Sequence, residues 1–190
     1  MRARENPLRV ERVHQLRHVP VGWTWQDLDA RLRELEYRGA IVGPQGSGKT
    51  TLLNDLDAQL TRRGMGVIRI MLSDMHRWIP EPSLEACRRH PESFVFLDGA
   101  EQLPRRRWRS FQREVSGSRG LIVTSHRPTD LPTLVECRTS PQLLERLLNE
   151  LLTPEIFASL GDLPGRLCRN YNGNLRSVIR SLYDHLADTV

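Results

Sequence analysis

Lysine is all but missing from this chain. Of 28 basic side chains, 27 are arginine, and the exception is Lys49. Cysteine is scarce too. Cys87, Cys137 and Cys168 are odd in number, far apart and form no C-x-x-C pair, so neither a disulfide framework nor a zinc site is indicated. His14 and His18 share i, i+4 spacing but have no further ligand types nearby, so they read as surface residues rather than a metal pair. No apolar run is long enough to span a bilayer, and no signal-peptide core is visible. The expectation is a cytoplasmic chain with no membrane partner. Repeats and low-complexity tracts are absent as well.

What is present fits one domain with a small appendage. At 190 residues the chain is long enough to bury a substantial core. The formal charge of +5 and the pI near 9.7 allow an acidic partner such as nucleic acid. Yet 27% charged residues is an ordinary share, with acids interspersed.

The single lysine lies in Gly43-Pro44-Gln45-Gly46-Ser47-Gly48-Lys49-Thr50, which reads G-x-x-x-x-G-K-[ST]. Ala40-Ile41-Val42 before it reads as a buried strand. Leu52, Leu53, Leu56 and Leu60 after it fall at helical spacing. Strand, glycine loop, helix is the context in which backbone N–H groups turn inward and cradle phosphate at a helix N-terminus. A compact ammonium fits between two phosphates where a planar guanidinium does not. Gly43, Gln45, Gly46, Ser47, Gly48, Lys49, Thr50 and Thr51 form the candidate phosphate-binding set, with the Thr50 hydroxyl as a Mg²⁺ ligand.

Ahead of this stretch, residues 1–22 are arginine-rich, with Arg2, Arg4, Arg9, Arg12 and Arg17. The segment reads as a basic arm for nucleic acid or, more simply, as a solvated segment lying on the core. Thr24 and Asp27 form a capping box for a helix expected to run to about Arg38 and stop at Gly39. Trp23 and Trp25 would wall a base pocket or pack in the core.

Further strands are expected at 67–72, 94–97, 121–124 and 134–137, with helices at about 83–90, 105–115, 141–152, 154–160 and 174–187. Boundaries follow: a basic segment 1–22, an α/β core 23–139 and a helical lid 140–190. Phe94-Val95-Phe96-Leu97 ends in Asp98, a buried strand delivering a carboxylate as metal ligand. Glu101, three residues on, would polarise a water or merely start a helix. Thr124, Ser125, His126 and Arg127 end the next strand and offer a polar or cationic group for the γ-phosphate. Asn174 would cap the last helix, with Arg176 in its first turn, able to reach back over the phosphates.

Together these motifs resemble additional-strand P-loop ATPases of the AAA+ and signal-transducing (STAND, NACHT-like) type. Gly43 to Thr50 is similar to their Walker A, Phe94 to Glu101 to the STAND Walker B, Ser125-His126-Arg127-Pro128 to sensor 1, and Gly173-Asn174-Leu175-Arg176 to sensor 2. The resemblance implies an α/β fold with a parallel sheet of strand order 5-1-4-3-2, flanked by helices, and a small C-terminal helical lid. It implies ATP with Mg²⁺, hydrolysis to ADP and phosphate, and a nucleotide-dependent switch. Lys49, Asp98, Glu101, Arg127 and Arg176 become the catalytic candidates, Thr50 and Asp98 the metal ligands, and Ser125 and His126 nucleotide contacts. Two departures matter. No glutamate directly follows Asp98, and the arginine finger has only Arg119, Arg127 and Arg138 as candidates by placement. The chain has no room for effector and repeat domains, so self-assembly or a protein partner would supply the output. ATP is favoured over GTP because the guanine-reading Asn/Thr-Lys-x-Asp motif is absent.

Two other readings stand beside this one. A small-molecule or nucleoside kinase would use Asp74 to hold its acceptor. A nucleic-acid-associated helper ATPase would use Arg105, Arg106, Arg107 and Arg109, with Trp108, against phosphates and bases.

Overall fold

The computed structural model describes residues 5–189; Arg2 and Arg4 of the basic segment lie outside them. The described chain divides into two compact units. One holds Pro20–Gly43 and Leu52–Cys137. The other holds the residues up to Val19, the loop Pro44–Thr51, and the residues from Arg138 onward.

The first unit is α/β. Its strands are β1 (Arg38–Val42), β2 (Val67–Met71), β3 (Phe94–Asp98), β4 (Gly120–Ser125) and β5 (Thr133–Glu136). All pairs are parallel and the order is β2-β3-β4-β1-β5, the expected 5-1-4-3-2 read from the other edge. Helices are numbered along the chain; this unit carries α2 (Trp25–Glu34), most of α3 (Lys49–Arg62), α4 (Glu81–Arg89) and α5 (Arg105–Glu114).

Alternation along the strands sorts the core into two layers. Ala40, Val42, Val95, Leu97, Leu121 and Val123 pack with Trp108 and Phe111 of α5 and Cys87 of α4. Ile41, Phe94, Phe96 and Ile122 pack with Leu28 and Leu32 of α2 and with Leu52, Leu53 and Leu56 of α3. Every residue of β3 and β4 is buried; each strand holds an apolar run, Phe94–Leu97 and Leu121–Val123, and ends in polar residues.

Helix α2 starts as expected: the Thr24 hydroxyl accepts from the Asp27 N–H, and Asp27 accepts from the Thr24 N–H. It stops earlier than expected, at Glu34. Glu36 and Tyr37 take positive φ (49° and 58°), the Tyr37 N–H reaches the Leu32 carbonyl and the Glu36 N–H the Arg33 carbonyl. That is a Schellman end built without glycine. Gly39 lies inside β1 instead, where an added Cβ would stand 3.0 Å from Leu134 Cβ.

The second unit is helical: α1 (Val10–Val13), α6 (Pro141–Leu151), α7 (Pro154–Ser159), α8 (Leu163–Asn170) and α9 (Leu175–Thr189). Its core joins Leu144, Leu148 and Leu151 of α6 to Leu175, Val178, Leu182 and Leu186 of α9. Leu8 belongs to this cluster, and buried Asn6 donates to the Tyr183 carbonyl at 2.9 Å. Asn6 and Leu8 of the N-terminal segment therefore pack on the helices of this unit. Helix α8 was not expected from the sequence; it carries Pro164 and Gly165. The proline sits in the first turn, where its missing N–H costs nothing. Among the described residues no helix is long and apolar enough to cross a membrane.

Candidate functional site

The glycine loop belongs to the helical unit. Gly46 and Gly48 hold φ of 76° and 85°, the left-handed region open to glycine. Space enforces the same choice. A Cβ at Gly46 would meet Asn174 Oδ1 at 2.1 Å and the Arg176 backbone nitrogen at 3.2 Å; one at Gly48 would meet His18 Nδ1 at 3.3 Å. Lys49 is 7% exposed and donates from Nζ to the Pro44 carbonyl at 2.8 Å. Ser47 is 3% exposed, and its Oγ has no hydrogen-bond partner among the described residues. Gln45 is exposed, while Thr50 and Thr51 are half-buried in the first turn of α3.

Asn174 reaches Gly46 because of how α8 ends. Asn172 and Gly173 take positive φ (49° and 76°), and the Gly173 N–H returns to the Cys168 carbonyl at 2.9 Å. Asn174 follows at once and caps α9, accepting from the Ser177 N–H at 3.2 Å. One helix closes and the next opens across four residues. The start of α9 is thereby fixed against the loop, with the Arg176 side chain exposed.

The second group of candidates lies at the carboxyl edge of the sheet, in the α/β unit. Asp98 ends β3 and is buried. Thr124 on β4 donates to its Oδ1 at 2.5 Å and accepts from the Gly99 N–H at 2.9 Å. Gly99 (φ 90°) then turns the chain into a short 3-10 turn, Ala100–Gln102, that carries Glu101. His126 Nε2 stands 3.5 Å from Glu101 Oε1. The buried Ser125 hydroxyl accepts from the Arg127 N–H at 3.2 Å, its carbonyl accepts from the Gly43 N–H at 3.1 Å, and Arg127 is exposed.

The structure thus joins Asp98 to Thr124 and Glu101 to His126. Thr124 was grouped with the strand-end polar residues, and nothing in the sequence singled it out as the partner of Asp98. The contacts of His18 and Asn174 with the loop glycines had no sequence signal either. Trp23 and Trp25 meet edge to face, with centroids 5.7 Å apart, and pack on the α2–α3 layer, which supports the core reading. Trp108 corrects an expectation. It is buried, and its Nε1–H donates to Asp130 at 2.5 Å, so it is not presented for stacking on a base.

Neither a family model nor a curated protein matches the sequence. Solved structures do. A replication initiator DnaA bound to AMPPCP and single-stranded DNA is similar with a TM-score of 0.57 at 17% identity, over 85% of this chain and 59% of that one. NtrX from Brucella abortus in complex with ATP is similar with a TM-score of 0.47 at 15% identity, over 92% of this chain and 50% of that one. The chain therefore spans between half and three-fifths of the length of these two proteins. The likeness to the first, with the five-stranded parallel sheet, defines the class of fold: this is a P-loop NTPase fold.

Proposed function

We propose that the chain binds ATP with Mg²⁺, hydrolyses it to ADP and phosphate, and works as a nucleotide-dependent switch of the AAA+ or STAND kind. The observation that carries this reading is the Ser47 hydroxyl, buried and without a partner beside two left-handed glycines and the buried Lys49 ammonium. An unmet buried hydroxyl costs about 1–3 kcal/mol. A phosphate oxygen would satisfy it together with the loop N–H groups.

In this reading Lys49 binds the phosphates, and Gln45, Ser47, Thr51, Ser125 and His126 contact the nucleotide. The Thr50 hydroxyl and the Asp98 carboxylate would hold Mg²⁺, whose charge neutralises the phosphate oxygens. Glu101 orients and deprotonates the attacking water, and Arg127 and Arg176 answer to the γ-phosphate. Residues 140–190 act as the lid. Their coupling to the loop has a physical basis, because Asn174 both caps α9 and packs on Gly46. A change in the loop is felt at the start of that helix. The output passes to a protein partner or to another copy of the chain in the cytoplasm.

The kinase reading is weaker. Asp74 follows β2, the sheet edge, with β3 and β4 between it and β1. Three strand spacings amount to about 14 Å, and Asp74 is already paired with Arg77.

Binding of a fluorescent ATP analogue and phosphate release, each with Mg²⁺, test the proposal. Lys49→Ala should abolish binding. Glu101→Gln should keep binding and slow release by about 10²-fold or more. Release that requires an added acceptor would replace the ATPase with a kinase. Absence of binding by the unaltered chain would sink both.

A further inference from the structure

Four residues beyond Glu101, α5 begins, and it concentrates charge. Its ten residues contain five arginines and one acid, Glu114. Glu114 is engaged by Arg88 of α4. Arg105, Arg106, Arg107 and Arg109 are exposed and form no ion pair among the described residues. Arg113 reaches only the Arg109 carbonyl. Most other arginines of the same unit are paired. Arg31, Arg33, Arg63, Arg69, Arg77 and Arg89 each have a carboxylate partner, whereas Arg38 and Arg62 bond backbone carbonyls and Arg119 lies over the Phe94 ring.

The free protein has little use for these charges. Three of them fill the first turn of α5, which contains no acid and whose cap, Pro104, supplies no side-chain bond. Cations there oppose the helix dipole and repel one another. Arg105, Arg109 and Arg113 recur every fourth residue, a row with steps of about 6 Å along one side of the helix. Only Ser110 and Gln112 lie among the outward arginines, since Trp108 and Phe111 turn into the core.

We propose that this face of α5 binds the phosphate backbone of a nucleic acid. A row of guanidiniums is what phosphate contact requires, and the arrangement carries no sequence information. A protein partner would be expected to use an aromatic or other apolar anchor, and an anionic bilayer an apolar face to insert; this face offers neither. With Trp108 buried, the helix supplies charge and not base stacking.

The test uses the full chain without nucleotide, so it stands apart from the ATP reading. A labelled mixed-sequence single strand, and the same sequence as a duplex, are titrated by fluorescence anisotropy between about 50 and 200 mM salt. Affinity should fall linearly in a log–log plot. Each phosphate contact contributes a slope of about 0.7 on single strands and 0.9 on duplex. The variant Arg105→Gln/Arg106→Gln/Arg109→Gln should lose about two to three such units and most of the binding. Arg105→Lys/Arg106→Lys/Arg109→Lys should keep most of it. A charge-matched variant in the helical unit, Arg146→Gln/Arg166→Gln/Arg180→Gln, should bind as the unaltered chain does. The α5 glutamine variant should also melt at a higher temperature, because repulsion at the helix start is relieved. Preference for either strand form supports the proposal and identifies the form. It is overturned by no binding at the lowest salt, or by equal losses in the two glutamine variants. It is also overturned by a lowered melting temperature in the α5 variant, or by displacement of the oligonucleotide by poly-glutamate at matched charge.

Discussion

Thr124→Val isolates the bond on which the Asp98 carboxylate depends. Thr124 is 1% exposed, and its hydroxyl donates to Asp98 and accepts from the Gly99 N–H. Valine keeps the shape and removes both bonds. A hydrogen bond to a charged group is worth about 1.5–3 kcal/mol and one to a backbone N–H about 0.5–1.5 kcal/mol. The extra buried methyl returns up to about 0.8 kcal/mol. The expected net loss is about 2–3 kcal/mol. Thr124→Ser is the control. It keeps both bonds and gives up one buried methyl, for about 1 kcal/mol. Urea unfolding of the full chain, followed by circular dichroism, measures both. The valine variant should unfold at clearly lower urea than the serine variant, with an unchanged slope. If the valine variant equals or exceeds the serine variant in stability, the hydroxyl does not hold the carboxylate and this account of the strand ends fails.

Two further outcomes can be checked in the same way. Gly46→Ala should cost at least about 1–2 kcal/mol from the left-handed backbone alone, and more from the collision with Asn174 Oδ1. Adding Asn174→Gly should recover the collision and leave the backbone cost, so a double-mutant cycle should show coupling; strict additivity would mean the two residues do not touch. Thr24→Ala should remove about 1 kcal/mol by deleting the α2 cap. Hydrogen bonds from Thr24 hold the Asp27 carboxyl below its ordinary value, so its contribution is present at neutral pH and lost on acidification. The stability gap between Thr24→Ala and the unaltered chain should therefore narrow below about pH 4. A gap constant down to pH 2 would show that Asp27 plays no part.

Legibility varied with the range of the interaction. The Thr24–Asp27 box and the Asn174 cap are contacts between residues three apart, and the sequence displays them directly. The end of α2 was misjudged because a Schellman turn usually announces itself with glycine, and here Glu36 takes the left-handed position. Helix α8 was not among the helices expected from the sequence. The cluster around Cys168 and the turn at Gly173 hold the helix in place. Trp108 looked like part of a basic, base-stacking patch, yet its i+3 neighbour Phe111 turns the same way and both enter the core.

The amino-acid sequence by itself determined the loop and the strand that delivers Asp98. Those follow from local chemistry: two glycines that must turn left, a lone ammonium, and an apolar run that must be buried on both faces. The parallel order of the sheet was implied by the resemblance of the motifs, not by local chemistry. Only the tertiary structure decided which polar groups meet. Thr124 faces Asp98 because β3 and β4 are neighbours in register. Asn174 rests on Gly46 because α8 ends in a tight reversal, and His18 lies over Gly48 within the same helical unit. Such contacts join residues from 26 to 128 positions apart. No spacing rule reaches that far; the burial of the two sheet layers and of the helical cluster sets those distances.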